Sequence, residues 1–152
     1  MINFSNSEGF GNFFDEFPGL ILQATESLAK SCSIDGALDP QSLDQQQVAS
    51  YELALAYAEY RAASVAWESY NGPATQVQQA LCGIYTASAV QSIKARLELL
   101  SPVFGIEQSD FDQLFCGGEL RSAMQACLAP AQLAEVGREV IQLEGEVGQV
   151  SI

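Results

Sequence analysis

The side chains best suited to chemistry in this sequence are carboxylates and thiols. Glu107, Asp110, Asp112 and Glu119 fall close together, and such a cluster could exchange protons or hold a hard cation. The spacing argues against the cation. Asp110-x-Asp112 opens like a calcium loop, but Leu114 and Cys116 fall where a further ligand and a backbone contact belong. Arg121 stands where the closing bidentate glutamate should be. The cluster therefore reads as a solvated loop around a capped helix start.

The thiols are Cys32, Cys82, Cys116 and Cys127, and no two have Cys-x-x-Cys spacing. The chain contains no histidine, which removes mixed Cys/His zinc sites and the base of the usual serine and cysteine triads. Cys82 sits in a helix-like stretch and reads as a small core residue. Cys116 and Cys127 could pair in an oxidising setting. Lys30 and Lys94 have polar helical neighbours, so surface lysine is their expected role. Gly9-Phe10-Gly11 and Gly117-Gly118 do not follow strands, so neither is a phosphate loop. The expectation is a chain with no catalytic residues, no metal site, no cofactor and no enzymatic activity of its own.

The elements that would carry these groups are helices. Phe13, Phe14, Phe17, Leu20, Ile21 and Leu28 begin a helical pattern, and Pro18 suits a first turn, which predicts a helix over 17–31 with 1–12 loose. Asp35-Gly36 marks a turn. Asp39-Pro40 combines an N-cap acid with proline at the first helical position and predicts a second helix running unbroken to Tyr70. Along it Val48, Tyr51, Leu55, Ala58, Ala62 and Val65 form one stripe, and Leu53, Tyr57, Tyr60 and Trp67 a second. A helix apolar on two faces is expected at the centre of a bundle.

Asn71-Gly72-Pro73 separates it from a third helix over 74–100, with Leu81, Ile84, Val90, Ile93, Leu97 and Leu100 on its apolar side. Lys94 and Glu98 form an exposed i,i+4 pair there. Ser109 can cap a short helix over 110–115. Glu119–Leu128 and Pro130–Leu143 read as two helices or one kinked at Pro130, with the tail over 144–152 frayed. The fold class is all-α, a single-domain bundle of four or five helices with two long central ones.

The 152-residue chain carries 19 acids against 6 bases, a net charge of −13, which disfavours nucleic acid and anionic lipid as partners. No stretch reads as a secretory signal: Glu8, Asp15 and Glu16 precede any base. The charge-free run 69–93 holds Asn71, Gln76, Gln78, Gln79 and Gln91, too polar for a membrane span. A cytoplasmic location is expected.

With catalysis set aside, binding remains. The aromatic N-terminus with Phe13, Phe14 and Phe17 could dock into a partner groove or fold back on the bundle. Tyr57, Tyr60 and Trp67 could line an interface or sit in the core. The two long helices carry few charges, which points to another protein, or a second copy in a homo-oligomer, covering part of them.

One resemblance bears on this. The stretch from Ser42-Leu43-Asp44 to Trp67, with Tyr51-Glu52-Leu53-Ala54 and Ala62-Ala63, resembles helical regions of the acyl-CoA dehydrogenase superfamily. Ala80 to Leu100, Phe104-Gly105, Arg121-Ser122-Ala123 and Gly137-Arg138-Glu139 extend the likeness over about 35–143. The departures are specific. The family's glutamine and double-glycine turn, which touches flavin, is a single glycine at Phe104-Gly105. The family's catalytic base would fall near Ala129 or Pro130, and neither side chain can abstract a proton. The flavin-cradling β-domain has no counterpart. The resemblance thus implies a non-catalytic helical subunit of, or partner to, a flavoenzyme. Two alternatives remain: an accessory subunit completing an active site on its partner, and a small acidic regulator or inhibitor of a basic target.

Overall fold

The structure of the chain is a computed structural model, and it describes residues 8–70 and 72–143. These residues form seven helices: α1 Glu8–Ser31, α2 Pro40–Gln45, α3 Gln47–Tyr70, α4 Gln76–Glu98, α5 Gln108–Phe115, α6 Gly118–Leu128 and α7 Pro130–Gln142. A two-stranded antiparallel ribbon, β1 Ser33–Ile34 with β2 Ala37–Leu38, joins α1 to α2. The architecture is an all-α bundle in which the long helices α3 and α4 pair along their length. α5, α6 and α7 also pack on α4, and α1 packs across α3, α5 and α6.

α1 starts earlier than its proline suggests. The helix begins at Glu8, so 8–12 are helical rather than loose, and Pro18 lies inside it. The cause is a continuous apolar stripe, Phe10, Phe13, Phe17, Ala24 and Leu28, all buried, which runs straight through the proline. Pro18 has no N–H to give the carbonyl four residues back, that of Phe14. The Tyr60 hydroxyl of α3 donates to it instead, at 3.1 Å. Gly9 lets α1 approach α6 closely: a Cβ there would lie 2.5 Å from the carbonyl oxygen of Glu119. The loose start expected over 1–7 and the frayed tail expected over 144–152 fall outside the described residues.

The Asp35-Gly36 turn forms as its residues imply. Both have positive φ, 51° and 80°, the pattern of a tight hairpin turn, and two residues on each side pair as strands. Asp39 caps α2, its Oδ2 accepting from the Ser42 N–H at 2.8 Å and the Ser42 hydroxyl at 2.7 Å. Those bonds, the hydroxyl first, hold its carboxyl below the usual aspartate range. The helix does not run unbroken to Tyr70. It stops at Gln46, whose N–H is shared between the Ser42 and Leu43 carbonyls, and α3 begins at Gln47. Neither glycine nor proline marks this break.

α4 begins two residues later than the spacing predicts, at a reciprocal cap. Thr75 Oγ1 accepts from the Gln78 N–H at 3.2 Å, and Gln78 Oε1 accepts from the Thr75 N–H at 3.0 Å. α5 starts at Gln108 after Glu107, and Ser109 is not its cap. The segment after Leu128 resolves into two helices with Pro130 opening α7. The largest fully buried side chains are Phe13, Phe17, Phe104 and Phe111, each worth roughly 1.5–3 kcal/mol of burial.

Candidate functional site

Two features stand out as surfaces that could recognise something: the outward face of α3 and a groove between α4 and α6. The first arises because α3 is apolar on two faces but packed on only one of them. Leu53, Ala56, Tyr60 and Ala63 face the core. Of the other stripe, Val48 is 70% exposed, Tyr51 64% and Val65 52%, with Ala58 and Ala62 exposed between them and Leu55 half-buried. α3 is therefore not covered on both faces as a helix with two apolar stripes is expected to be. Among its exposed residues only Arg61 and Glu68 are charged.

The six aromatic candidates divide differently. Phe13, Phe17 and Tyr60 are buried, and Phe14 and Trp67 pack against the same core. Their rings meet one another: Phe13 stacks on Phe17 with centroids 5.2 Å apart, and Phe14 lies 5.9 Å from Trp67. Five of the six are thus engaged within this chain, and the aromatic N-terminal segment folds back onto the bundle. Tyr57 alone stays open, 46% exposed at the edge of the α3 face, its ring stacked on Tyr60 at 6.1 Å.

The inner flank of the α3–α4 pair holds an ionic clasp. Arg96 Nη1 donates to Glu52 Oε2 at 2.7 Å, while Nε and Nη2 donate to Glu59 Oε1 at 3.1 and 3.0 Å. The bonds to Glu52 and then Glu59 push the guanidinium further toward its charged form. The other Glu59 oxygen, Oε2, is buried without a hydrogen-bond partner. Sequence reading reached Lys94–Glu98, which does meet, at 3.9 Å, but missed this stronger pairing. Glu52 and Glu59, two turns apart on one helix face, were the available signal.

The groove is an open cleft of about 820 Å³. α4 contributes Lys94 and Glu98 to it, and α6 contributes Arg121, Met124 and Leu128 at i, i+3 and i+7. Pro130 of α7 stands at its edge. Arg121 is exposed and has no ion-pair partner among the described residues.

The residues first suspected of chemistry do not converge. Asp112 Oδ1 accepts from the Gln108 side chain at 2.8 Å, whereas Glu119 Oε2 accepts from Asn12 of α1 at 3.0 Å. Among the described residues no three His, Cys, Asp or Glu side chains are grouped to hold a metal ion. All four cysteines are free thiols, so Cys116 and Cys127 are not paired here. Burial pushes the Cys82 thiol up, and burial followed by the neighbouring Cys82 pushes Cys127 up. No described helix is long and apolar enough to cross a membrane. No protein-family model matches the chain, and comparison with curated proteins finds no match.

Proposed function

We propose that the chain is a non-catalytic helical interaction protein that associates with a second copy of itself through the outward face of α3. The observation that carries this reading is the exposure of Val48, Tyr51, Ala58, Ala62 and Val65 on one side of a 24-residue helix. Leaving such a strip in water forgoes roughly 25 cal/mol for each Å² of apolar surface that a partner could cover.

Charge selects the kind of partner. A chain of net charge −13 repels its own copy over most of its surface. The exposed side of α3 bears one Arg and one Glu, so it is the place where that repulsion is weakest. It also offers a basic partner little to hold. The sequence of the face is compatible with two-fold symmetry: antiparallel pairing centred on Ala58 sets Ala54 against Ala62 and Tyr51 against Val65. Small residues then meet small ones at the crossing, and the larger side chains flank them. The resemblance to acyl-CoA dehydrogenase helical regions supports a narrower partner, a flavoenzyme's helical domain on the same face.

Sedimentation velocity at micromolar concentration tests the proposal. The expected result is a dimer that persists in high salt and becomes a monomer in Ala58→Arg, with the helical circular dichroism unchanged. A wild-type monomer overturns the second-copy reading. A wild-type monomer that binds a purified acyl-CoA dehydrogenase-type flavoprotein, and loses that binding in Ala58→Arg, transfers the face to that partner.

A further inference from the structure

We propose that the groove between α4 and α6 is a binding site for a small amphiphilic monocarboxylate, held by its carboxylate at Arg121 and Lys94 and by its apolar part along Met124 and Leu128. This rests on the groove alone and is independent of the α3 face.

The first argument is the sign of the site. Only six residues of the chain are Lys or Arg, and two of them line this one groove. Glu98 is the single acid in the lining, and it pairs with Lys94 at 3.9 Å. Two cations and one carboxylate leave a net +1, which a monoanion neutralises and a dianion such as a phosphate monoester exceeds. On a chain this acidic, a locally positive cleft is the exception.

The second argument is the position of Arg121. It lies in the first turns of α6, where the helix dipole favours anions and repels a cation. Gly117 gives that helix end no side-chain cap, and no acid among the described residues pairs with the guanidinium. A planar carboxylate facing the guanidinium fork would satisfy both the cation and the field around it.

The third argument is shape. From Arg121 to Leu128 the helix rises about 10 Å, so an apolar strip of that length runs away from the charged end. Met124 and Leu128 are half-buried along it, the buried Phe115 also lines the groove, and Pro130 stands at its edge. The cleft of about 820 Å³ is within the size range of small-molecule sites. An aliphatic or aryl carboxylate of medium length fits a site polar at one end and apolar along the rest.

Titration of the 152-residue chain with octanoate, followed by amide and methyl NMR shifts, tests this. Saturable binding is expected, with shifts confined to the groove: α6 with its Met124 methyl, the last turns of α4, and Phe115, Cys116, Ala129 and Pro130 at its ends. Affinity should fall at least tenfold in Arg121→Gln and in Leu128→Gln. Acetate, lacking the tail, and octanol, lacking the charge, should each bind at least tenfold more weakly. Arg121 is exposed, so its replacement leaves the fold intact, and the NMR spectrum verifies this directly. Absence of saturable octanoate binding, shifts elsewhere on the protein, or equal affinity in Arg121→Gln would overturn the assignment. So would preference for octyl phosphate over octanoate, or occupation of the groove by an acidic helical peptide that octanoate does not displace.

Discussion

Tyr60 donates its hydroxyl to the backbone carbonyl of Phe14, the acceptor that Pro18 leaves without a helical donor. A proline inside a helix costs stability chiefly through that missing bond and the crowding of its ring. Here the bond is replaced from a neighbouring helix, and α1 is tied to α3 at the point where it is weakest. Burial of the hydroxyl also pushes the Tyr60 pKa up, as expected for a phenol kept in its donating form.

This coupling gives a double-mutant prediction. Tyr60→Phe removes the donor and leaves the Phe14 carbonyl unpaired, which should cost about 1–3 kcal/mol. In a Pro18→Ala background the new N–H can reach the same carbonyl, so the cost of Tyr60→Phe should fall to a few tenths of a kcal/mol, a coupling on the order of 1 kcal/mol. Urea denaturation of the four proteins measures it. Equal costs in the two backgrounds would show that the hydroxyl does not replace the helical donor.

The Arg96 clasp makes a prediction about rank. Arg96 reaches Glu52 and Glu59 with three N–H groups, whereas Lys94 meets Glu98 at 3.9 Å on a partly exposed surface. Replacing Arg96 by Met strands two carboxylates against each other on α3, and replacing it by Lys keeps the charge but loses the fork. Melting temperatures should fall most for Arg96→Met, less for Arg96→Lys, and scarcely for Lys94→Met, where an exposed pair is worth about 0–1 kcal/mol. If Lys94→Met and Arg96→Met melt alike, the clasp does not hold α3 to α4.

These two contacts also mark where the sequence stopped being legible. The helical class, the turn at Asp35-Gly36 and the cap at Asp39 could be read directly, because each depends on residues adjacent in the chain. The start of α1 could not. The rule that places proline in a first turn is local, and it is overridden by the buried apolar stripe, with Tyr60 donating to the Phe14 carbonyl from 46 residues away in sequence. The two faces of α3 were both seen as apolar, but period alone does not say which of them is covered. Five of the six aromatic candidates proved to be core because aromatic stripes at helical spacing serve either purpose. The groove was missed since Lys94 and Arg121 come from helices whose pairing no local pattern reveals.

The contact of α1 with α6 separates helix propensity from packing in three glycines of one helix. Gly9, Gly11 and Gly19 all lie in α1, and by propensity alone each would gain about 0.5–1 kcal/mol on replacement by alanine. Around Gly11 and Gly19 nothing among the described residues lies within 4 Å of where a Cβ would stand, so Gly11→Ala and Gly19→Ala should realise that gain. At Gly9 the Cβ would meet the backbone of α6, 2.5 Å from the Glu119 carbonyl oxygen and 2.7 Å from the Leu120 nitrogen. Backbone cannot rotate away as a side chain can, so α1 and α6 must separate, at a cost of about 1–3 kcal/mol that exceeds the propensity gain. Gly9→Ala should therefore lower the urea midpoint while the other two raise it, with the urea dependence unchanged in all three. A raised midpoint in Gly9→Ala would mean that the two helices do not approach as closely in solution as their backbones are placed here.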